Sequence, residues 1–229
     1  MISAKMQKLA GNNSAIRAMF EEGKKMAAQF GAENVYDFSL GNPSVPAPAS
    51  VARAMKDILD NEDSLMVHGY MSNAGYEDVR QAVAENLNRR FGTSFTQRNI
   101  LMTVGAAGGL NIILKTLLNP GDEVICFAPF FAEYGNYIGN YDGVLVTIPA
   151  DTETFQLNLE AFRQAIGPKT KAVIINNPNN PTGVVYSAET ITALAAILEE
   201  KQAELGKSIY LISDEPYREL AYDGVEVPF

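Results

Sequence analysis

The sequence contains no tryptophan, a single cysteine and a single histidine. With one thiol, Cys126, no disulfide can close within the chain, and a reducing compartment fits. Cys126 lies in an apolar run at residues 123–127 and is expected to pack as a small hydrophobe. The lone histidine, His68, excludes His-rich metal sites and leaves little room for a Ser-His-Asp triad. Cofactor-free acid–base chemistry is therefore thinly provisioned. No apolar run approaches the ~18 residues needed to span a bilayer, and residues 1–8 lack the continuous apolar core of a signal peptide. Positive charge is also short, since 18 Lys and Arg face 27 Asp and Glu for a formal net charge of −9. That balance disfavours nucleic acid and anionic membranes as partners. A cytoplasmic protein is the expectation.

What remains is ordinary for a globular chain: 229 residues, 47% hydrophobic and 20% charged, enough for one large core or one domain with an appendage. Residues 100–213 alternate strand and helix. Apolar runs at 100–103, 123–127, 144–148, 172–176 and 209–213 read as strands, and 108–118 and 187–205 as the clearest helices. In the second helix Ser187 is placed to cap the first turn, with Ile191, Leu194, Ala195 and Leu198 as its apolar stripe. Such alternation predicts right-handed βαβ crossovers, an α/β fold and a largely parallel sheet covered by helices on both faces. Before residue 100 the pattern changes. A helix near 14–30, a strand at 36–40, a Gly/Pro-rich loop at 41–48 and helices near 49–61 and 77–91 are expected. The loop reads as a boundary between an N-terminal arm and the main body.

The residues with chemical potential sit where these strands end. Val104-Gly105-Ala106-Ala107-Gly108-Gly109 follows the first strand and opens a helix, so small residues let backbone amides approach an anion with the helix dipole behind them. A plain strand–helix turn is the alternative, because the motif is neither GxGxxG nor a Walker sequence. Asp214 closes an apolar strand, where a carboxylate needs a partner or a solvated cleft. Capping a turn and pairing with a cationic ring nitrogen are the two readings. Tyr217, three residues on, can present its hydroxyl to the same ring. Asn180 lies in Asn176-Asn177-Pro178-Asn179-Asn180-Pro181-Thr182-Gly183, where prolines restrict the chain. Asn176, Asn177 and Asn179 read as residues that satisfy turn backbone. Phe131 either stacks on a flat cofactor or packs in the core, and Tyr70 lies in a glycine-bounded loop.

Taken in order, Gly41-x-Pro43, Tyr70-x4-Gly75, Gly105-Ala106-Ala107, Pro129-Phe130-Phe131, Asn180-Pro181-Thr182-Gly183 and Asp214-Glu215-x-Tyr217 resemble the class I/II aminotransferases of the aspartate aminotransferase fold. The resemblance runs from about residue 35 to the end. It implies pyridoxal 5′-phosphate as cofactor and a three-layer αβα large domain of fold type I. It also implies division into residues 1–45, an arm with part of a small domain, and 46–229, the cofactor-binding domain. By the same resemblance Gly105, Ala106 and Ala107 would hold the cofactor phosphate and Phe131 would stack on the ring. Asn180 and Tyr217 would hydrogen-bond its phenolic oxygen, and Asp214 would keep its nitrogen protonated. Gly41, Phe131 and Asn180 would meet the substrate, with Gly41 facing its carboxylate through the backbone. Tyr70 would reach the phosphate of a neighbouring subunit in a homodimer.

The family's Schiff-base lysine and its late carboxylate-binding arginine have no counterpart among these residues. Lys171 and Lys207 flank strands in the wrong context, so no catalytic residue is assigned. The resemblance further implies a sheet order of 3-2-4-5-6-7-1, of which strands one to five are readable. These residues are therefore expected to be part of a longer protein and to be inactive alone. The expected activity of the complete protein is transfer of an amino group between an amino acid and a 2-oxo acid. Rival readings are a lyase acting at Cβ or Cγ on the same fold and a catalytically dead cofactor-binding remnant. A ligand-sensing regulator is disfavoured by the short arm before residue 35.

Overall fold

The computed structural model describes residues 2–10, 15–38, 41 and 45–229. The chain divides into two compact units, Met1–Tyr70 and Met71–Phe229. The first holds four α-helices among its described residues: α1 (Ala4–Ala10), α2 (Ala15–Phe30), α3 (Ala49–Asn61) and the short α4 (Ser64–Val67). α2 and α3 match the helical periodicity of the sequence. Asp63 caps α4 by accepting from the amides of Leu65 and Met66, which satisfies two of the four orphan donors of a helix start. The strand expected at 36–40 does not form at residues 36–38, which are irregular, with Tyr36 and Phe38 highly exposed. Among the described residues this unit contains no strand to complete a ladder. Residues 39 and 40, and Pro43 of the Gly41-x-Pro43 motif, lie outside the described residues.

The second unit runs α5 (Glu77–Phe91), α6 (Gly105–Leu117), β1 (Glu123–Phe127), α7 (Glu133–Asn140), β2 (Val144–Ile148), α8 (Leu159–Ala165), β3 (Thr170–Asn176), α9 (Ala188–Leu205) and β4 (Tyr210–Asp214). The four strands form one parallel sheet in the order β2-β1-β3-β4. Strand alternation sends successive side chains to opposite faces, and the two central strands are apolar on both. Ile125 and Phe127 of β1 and Val173 and Ile175 of β3 join Phe162 of α8 and Leu194, Ile197 and Leu198 of α9 in one core. Val124, Cys126, Ala172 and Ile174 face the other way, onto Leu110 and Leu114 of α6 and Tyr134 and Ile138 of α7. The unit is thus the three-layer αβα arrangement expected from the alternation. Among the described residues no helix is long and apolar enough to cross a membrane.

Element boundaries follow local chemistry. The Ser187 hydroxyl accepts from the amide of Thr190 to start α9. Gly206, at φ 63°, ends it with its amide on the Gln202 carbonyl, a left-handed cap that suits glycine. α6 begins three residues earlier than expected, at Gly105, whose φ of +70° is reached without side-chain strain. The run at 100–103 is a correction, because it forms no strand. Met102 donates to the carbonyl of Ala74, but no strand lies beside this run in the described sheet. Apolar composition alone does not make a strand without a ladder neighbour.

The geometry of the sheet fixes where a ligand fits. From β1 the chain moves outward to β2, then returns past β1 to β3 and continues outward to β4. Its direction therefore reverses between β1 and β3. In parallel sheets the crevice outside the carboxyl ends at such a reversal is where ligands bind.

Two outcomes test the core. Phe162 is fully buried, so Phe162→Ala should destabilise the protein by about 3–5 kcal/mol in denaturant titration. Burial pushes the Cys126 thiol up to about 12, above its ordinary value near ~8.5. The folded protein should therefore resist iodoacetamide at pH 8 and react on unfolding. The stability from this neutral thiol is complete below the unfolded value and is lost as pH rises toward the folded one.

Candidate active site

Three strand ends and one helix start converge at the reversal point on a cavity of about 210 Å³. α6 contributes Ala106 and Ala107, the segment after β1 contributes Phe131, and α7 contributes Tyr134. The loop after β3 supplies Asn180, and β4 with its following turn supplies Asp214 and Tyr217. The cavity thus gathers six of the sequence-derived candidates. Gly105 stands immediately before the lining residues as the first residue of α6. Gly41 and Tyr70 belong to the first compact unit and are exposed there.

The amides of Ala106 and Ala107 lie in the first turn of α6, where N–H groups have no intrahelical acceptor. The turn is held by Thr103, whose hydroxyl donates to the Gly105 carbonyl at 3.0 Å and whose carbonyl accepts from the Gly105 amide. Aligned peptide dipoles add about half a positive charge here. Phe131 walls the cavity while its ring meets Tyr134 edge-on, with centroids 5.7 Å apart. α7 starts at Glu133, so Phe131 lies just before the helix.

The polar side is a network. The Asn180 amide Nδ2 donates to the Tyr217 hydroxyl oxygen at 3.1 Å. That oxygen is then an acceptor on this side and has its own proton to direct elsewhere. Asp214 receives a 2.6 Å hydrogen bond at Oδ2 from the Tyr134 hydroxyl. Tyr134 is almost completely buried. Burial first, then its hydrogen bond to Asp214 and that group's negative charge, raise the Tyr134 phenol well above the usual tyrosine range. The proton therefore stays on Tyr134, which remains the donor. Tyr137, also on the cavity wall, is raised by burial and by the charges of Glu133 and Asp214.

The asparagine-rich loop is braced from within. Asn177 Oδ1 accepts from the Tyr186 amide at 2.9 Å, and Asn179 Oδ1 accepts from the amide and hydroxyl of Thr182. Both are buried, as the turn-satisfying reading requires. Asn176 does more than satisfy a turn, since its side chain also reaches β4. Beyond Tyr217, Arg218 donates to Glu215 Oε2 at 2.7 Å and to the carbonyls of Val227 and Pro228. Its guanidinium lies against the rings of Phe91 and Phe229, which stack at 4.1 Å. The turn carrying Asp214 and Tyr217 is anchored on its far side by these contacts.

Sequence reasoning missed Tyr134 and the reach of Asn176. The available signal for Tyr134 was its spacing of three from Phe131, across a turn closed by the Tyr134 amide on the Phe131 carbonyl, which brings the two rings together. Nothing in the sequence pairs it with a carboxylate 80 positions away.

The donor set suits a flat, phosphorylated aromatic cation. Free helix amides meet an anion, aromatic rings flank a plane, and a carboxylate meets a ring cation. Among the described residues no lysine or arginine lines the cavity. Lys207 instead donates to the Pro168 carbonyl, and Lys171 sits in β3 near its amino end.

A family model described as aminotransferase class I and II matches residues 33–228. The chain is 37% identical to a probable aspartate/prephenate aminotransferase of Thermus aquaticus over 81% of its own length and 46% of the relative. It is 32% identical to a probable N-acetyl-LL-diaminopimelate aminotransferase of Bacillus subtilis, over 83% of this chain and 46% of that one. The crystal structure of an aminotransferase from Eubacterium rectale superposes on the whole chain with a TM-score of 0.96 at 48% identity, covering 58% of that protein. Aspartate aminotransferase of Thermus thermophilus, solved with maleate, gives 0.84 at 32% identity over the whole chain and 56% of its own. The chain spans about half the length of the curated relatives it matches. With a match that extends over most of its residues, this chain belongs to the class I and II aminotransferase family.

Proposed function

We propose that the chain forms the cofactor-binding part of a pyridoxal-phosphate-dependent aminotransferase that moves an amino group between an amino acid and a 2-oxo acid. The observation that carries this reading is the convergence of the α6 amides, Phe131, the Asn180–Tyr217 pair and Asp214 on one cavity. Pyridoxal phosphate, when bound, supplies an aldehyde that takes up the amino group and a ring that draws electrons from the reacting carbon.

Each residue has a defined task. The amides of Ala106 and Ala107, with Gly105 setting the turn, hold the phosphate at the start of α6. Phe131 flanks the ring. Tyr217 and Asn180 donate to the phenolic oxygen and favour its ionised form. Asp214 meets the ring nitrogen and keeps it protonated. Tyr134 holds Oδ2 of Asp214, leaving Oδ1 for that contact. Phe131, Asn180 and the Gly41 backbone meet the substrate, with Gly41 serving its carboxylate. Proton movement at the reacting carbon is assigned to no residue of this chain, because among the described residues no lysine lines the cavity. We also propose that these residues are inactive by themselves. We further propose a cytoplasmic homodimer in which Tyr70 reaches the neighbouring site, with residues 1–45 as arm and 46–229 as cofactor-binding domain.

The direct test is absorption spectroscopy of the full-length protein loaded with pyridoxal phosphate. Addition of an amino acid should convert the cofactor to its amine form, and a 2-oxo acid should restore it. Release of ammonia and an oxo acid from one substrate, with no such return, would contradict the transfer reaction. Asp214→Asn keeps shape and loses charge, so kcat/KM should fall by roughly 10²–10³, the scale for deleting one electrostatic group. Tyr134→Phe leaves Oδ2 of Asp214 without its donor, a deficit of about 1–3 kcal/mol. The cofactor's Kd should rise about tenfold, measurable by fluorescence titration.

A further inference from the structure

Asn176 is the last residue of β3 and only 3% exposed. Its side chain spans two separate pieces of the candidate site. Nδ2 donates to the backbone carbonyl of Asp214 at 2.8 Å, and Oδ1 accepts from the backbone amide of Asn180 at 2.6 Å. One planar amide therefore fixes the main chain of both segments. Those segments meet again above it, through the bond from Asn180 Nδ2 to the Tyr217 hydroxyl. Asn176 also lines the cavity. A buried amide with both ends engaged has no freedom to adapt to a shifted loop, because either loss leaves a desolvated polar group.

We propose that Asn176 is a positioning residue that sets the approach of Asn180 to Tyr217, and so the hydrogen bonding of the cofactor's phenolic oxygen. The proposal rests on the cofactor reading given above. The β3–β4 ladder aligns Asn176 with Asp214 but stops at that pair, and Asn180 lies in the turn beyond it. The side chain of Asn176 continues the connection past the point where backbone pairing ends. An aliphatic residue of similar size would fill the space and hold neither segment. Aspartate would keep the acceptor for the Asn180 amide and replace the donor with an oxygen facing the Asp214 carbonyl.

The test uses the full-length protein and three variants: Asn176→Ala, Asn176→Asp and Asn176→Leu. Three quantities are read: the Kd for pyridoxal phosphate, the pH midpoint of the bound cofactor's visible absorbance, and hydrogen exchange at the Asn180 amide without cofactor. Hydrogen bonds to an ionised oxygen lower its pKa. Loosening of the Asn180–Tyr217 pair should therefore raise the absorbance midpoint by about one pH unit, a tenfold change. In Asn176→Ala and Asn176→Leu, Kd should rise about tenfold and the Asn180 amide should exchange faster. Asn176→Asp should protect that amide and still raise the midpoint. A residue that only stabilised the fold would lower Tm and leave the midpoint in place. If Asn176→Ala or Asn176→Leu does not fold, Asn176→Asp decides, and an unchanged midpoint there overturns the proposal. Unchanged midpoint and Kd in all folded variants, with the wild type binding cofactor normally, overturn it while sparing the cofactor reading. A wild type that binds no pyridoxal phosphate overturns both, and amide exchange then reports only the brace.

Discussion

The reversal of chain direction between β1 and β3 is the constraint on which the second unit depends. Right-handed crossovers put α7 on one face of the sheet when the chain moves toward β2, and α8 and α9 on the other when it moves back. The same reversal sends the loops leaving β1 and β3 in opposite directions, which opens a crevice between their carboxyl ends. Central strands with apolar side chains on both faces make that arrangement stable. The cavity needs no dedicated scaffold, because it is a by-product of how the sheet is wound.

Within the crevice, precision comes from polar side chains rather than from the ladder. Asp214 is held through its carboxylate by Tyr134 and through its main chain by Asn176. Tyr217 is held by Asn180 and, through the turn, by the Arg218 clamp. Each partner comes from a different element, so no single loop movement can displace the group without breaking a bond to another. Buried donors and acceptors have few alternatives at such a place, and the cost of leaving one unmade keeps the set in register.

Much of this architecture was legible in the sequence because it is written in local patterns. The helices of residues 49–61 and 77–91 appear at those limits, and α9 ends at Leu205 with Ser187 as its cap, within the range read for it. The four paired strands all lie on apolar runs. What failed was non-local. The run at 100–103 carries the composition of a strand, but a ladder depends on a neighbour, and no described strand flanks it. Tyr134 looked like one aromatic among several because its partner lies far along the chain. Asn176 was grouped with Asn177 and Asn179 as a turn residue, and only its position at the last rung of the β3–β4 pairing distinguishes it.

The long spans of these hydrogen bonds have a consequence for assembly on the ribosome. Tyr134 and Asp214 are 80 positions apart, Asn176 and Asp214 are 38, and Asn180 and Tyr217 are 37. A nascent chain that has released β1, β2 and β3 can bury most of the shared core, but it has neither the carboxylate nor the phenol that complete the polar wall. Non-local contacts form late because loop closure must precede them. The polar wall of the crevice is thus completed only once β4 and the turn after it have been made, later than the apolar core beneath it.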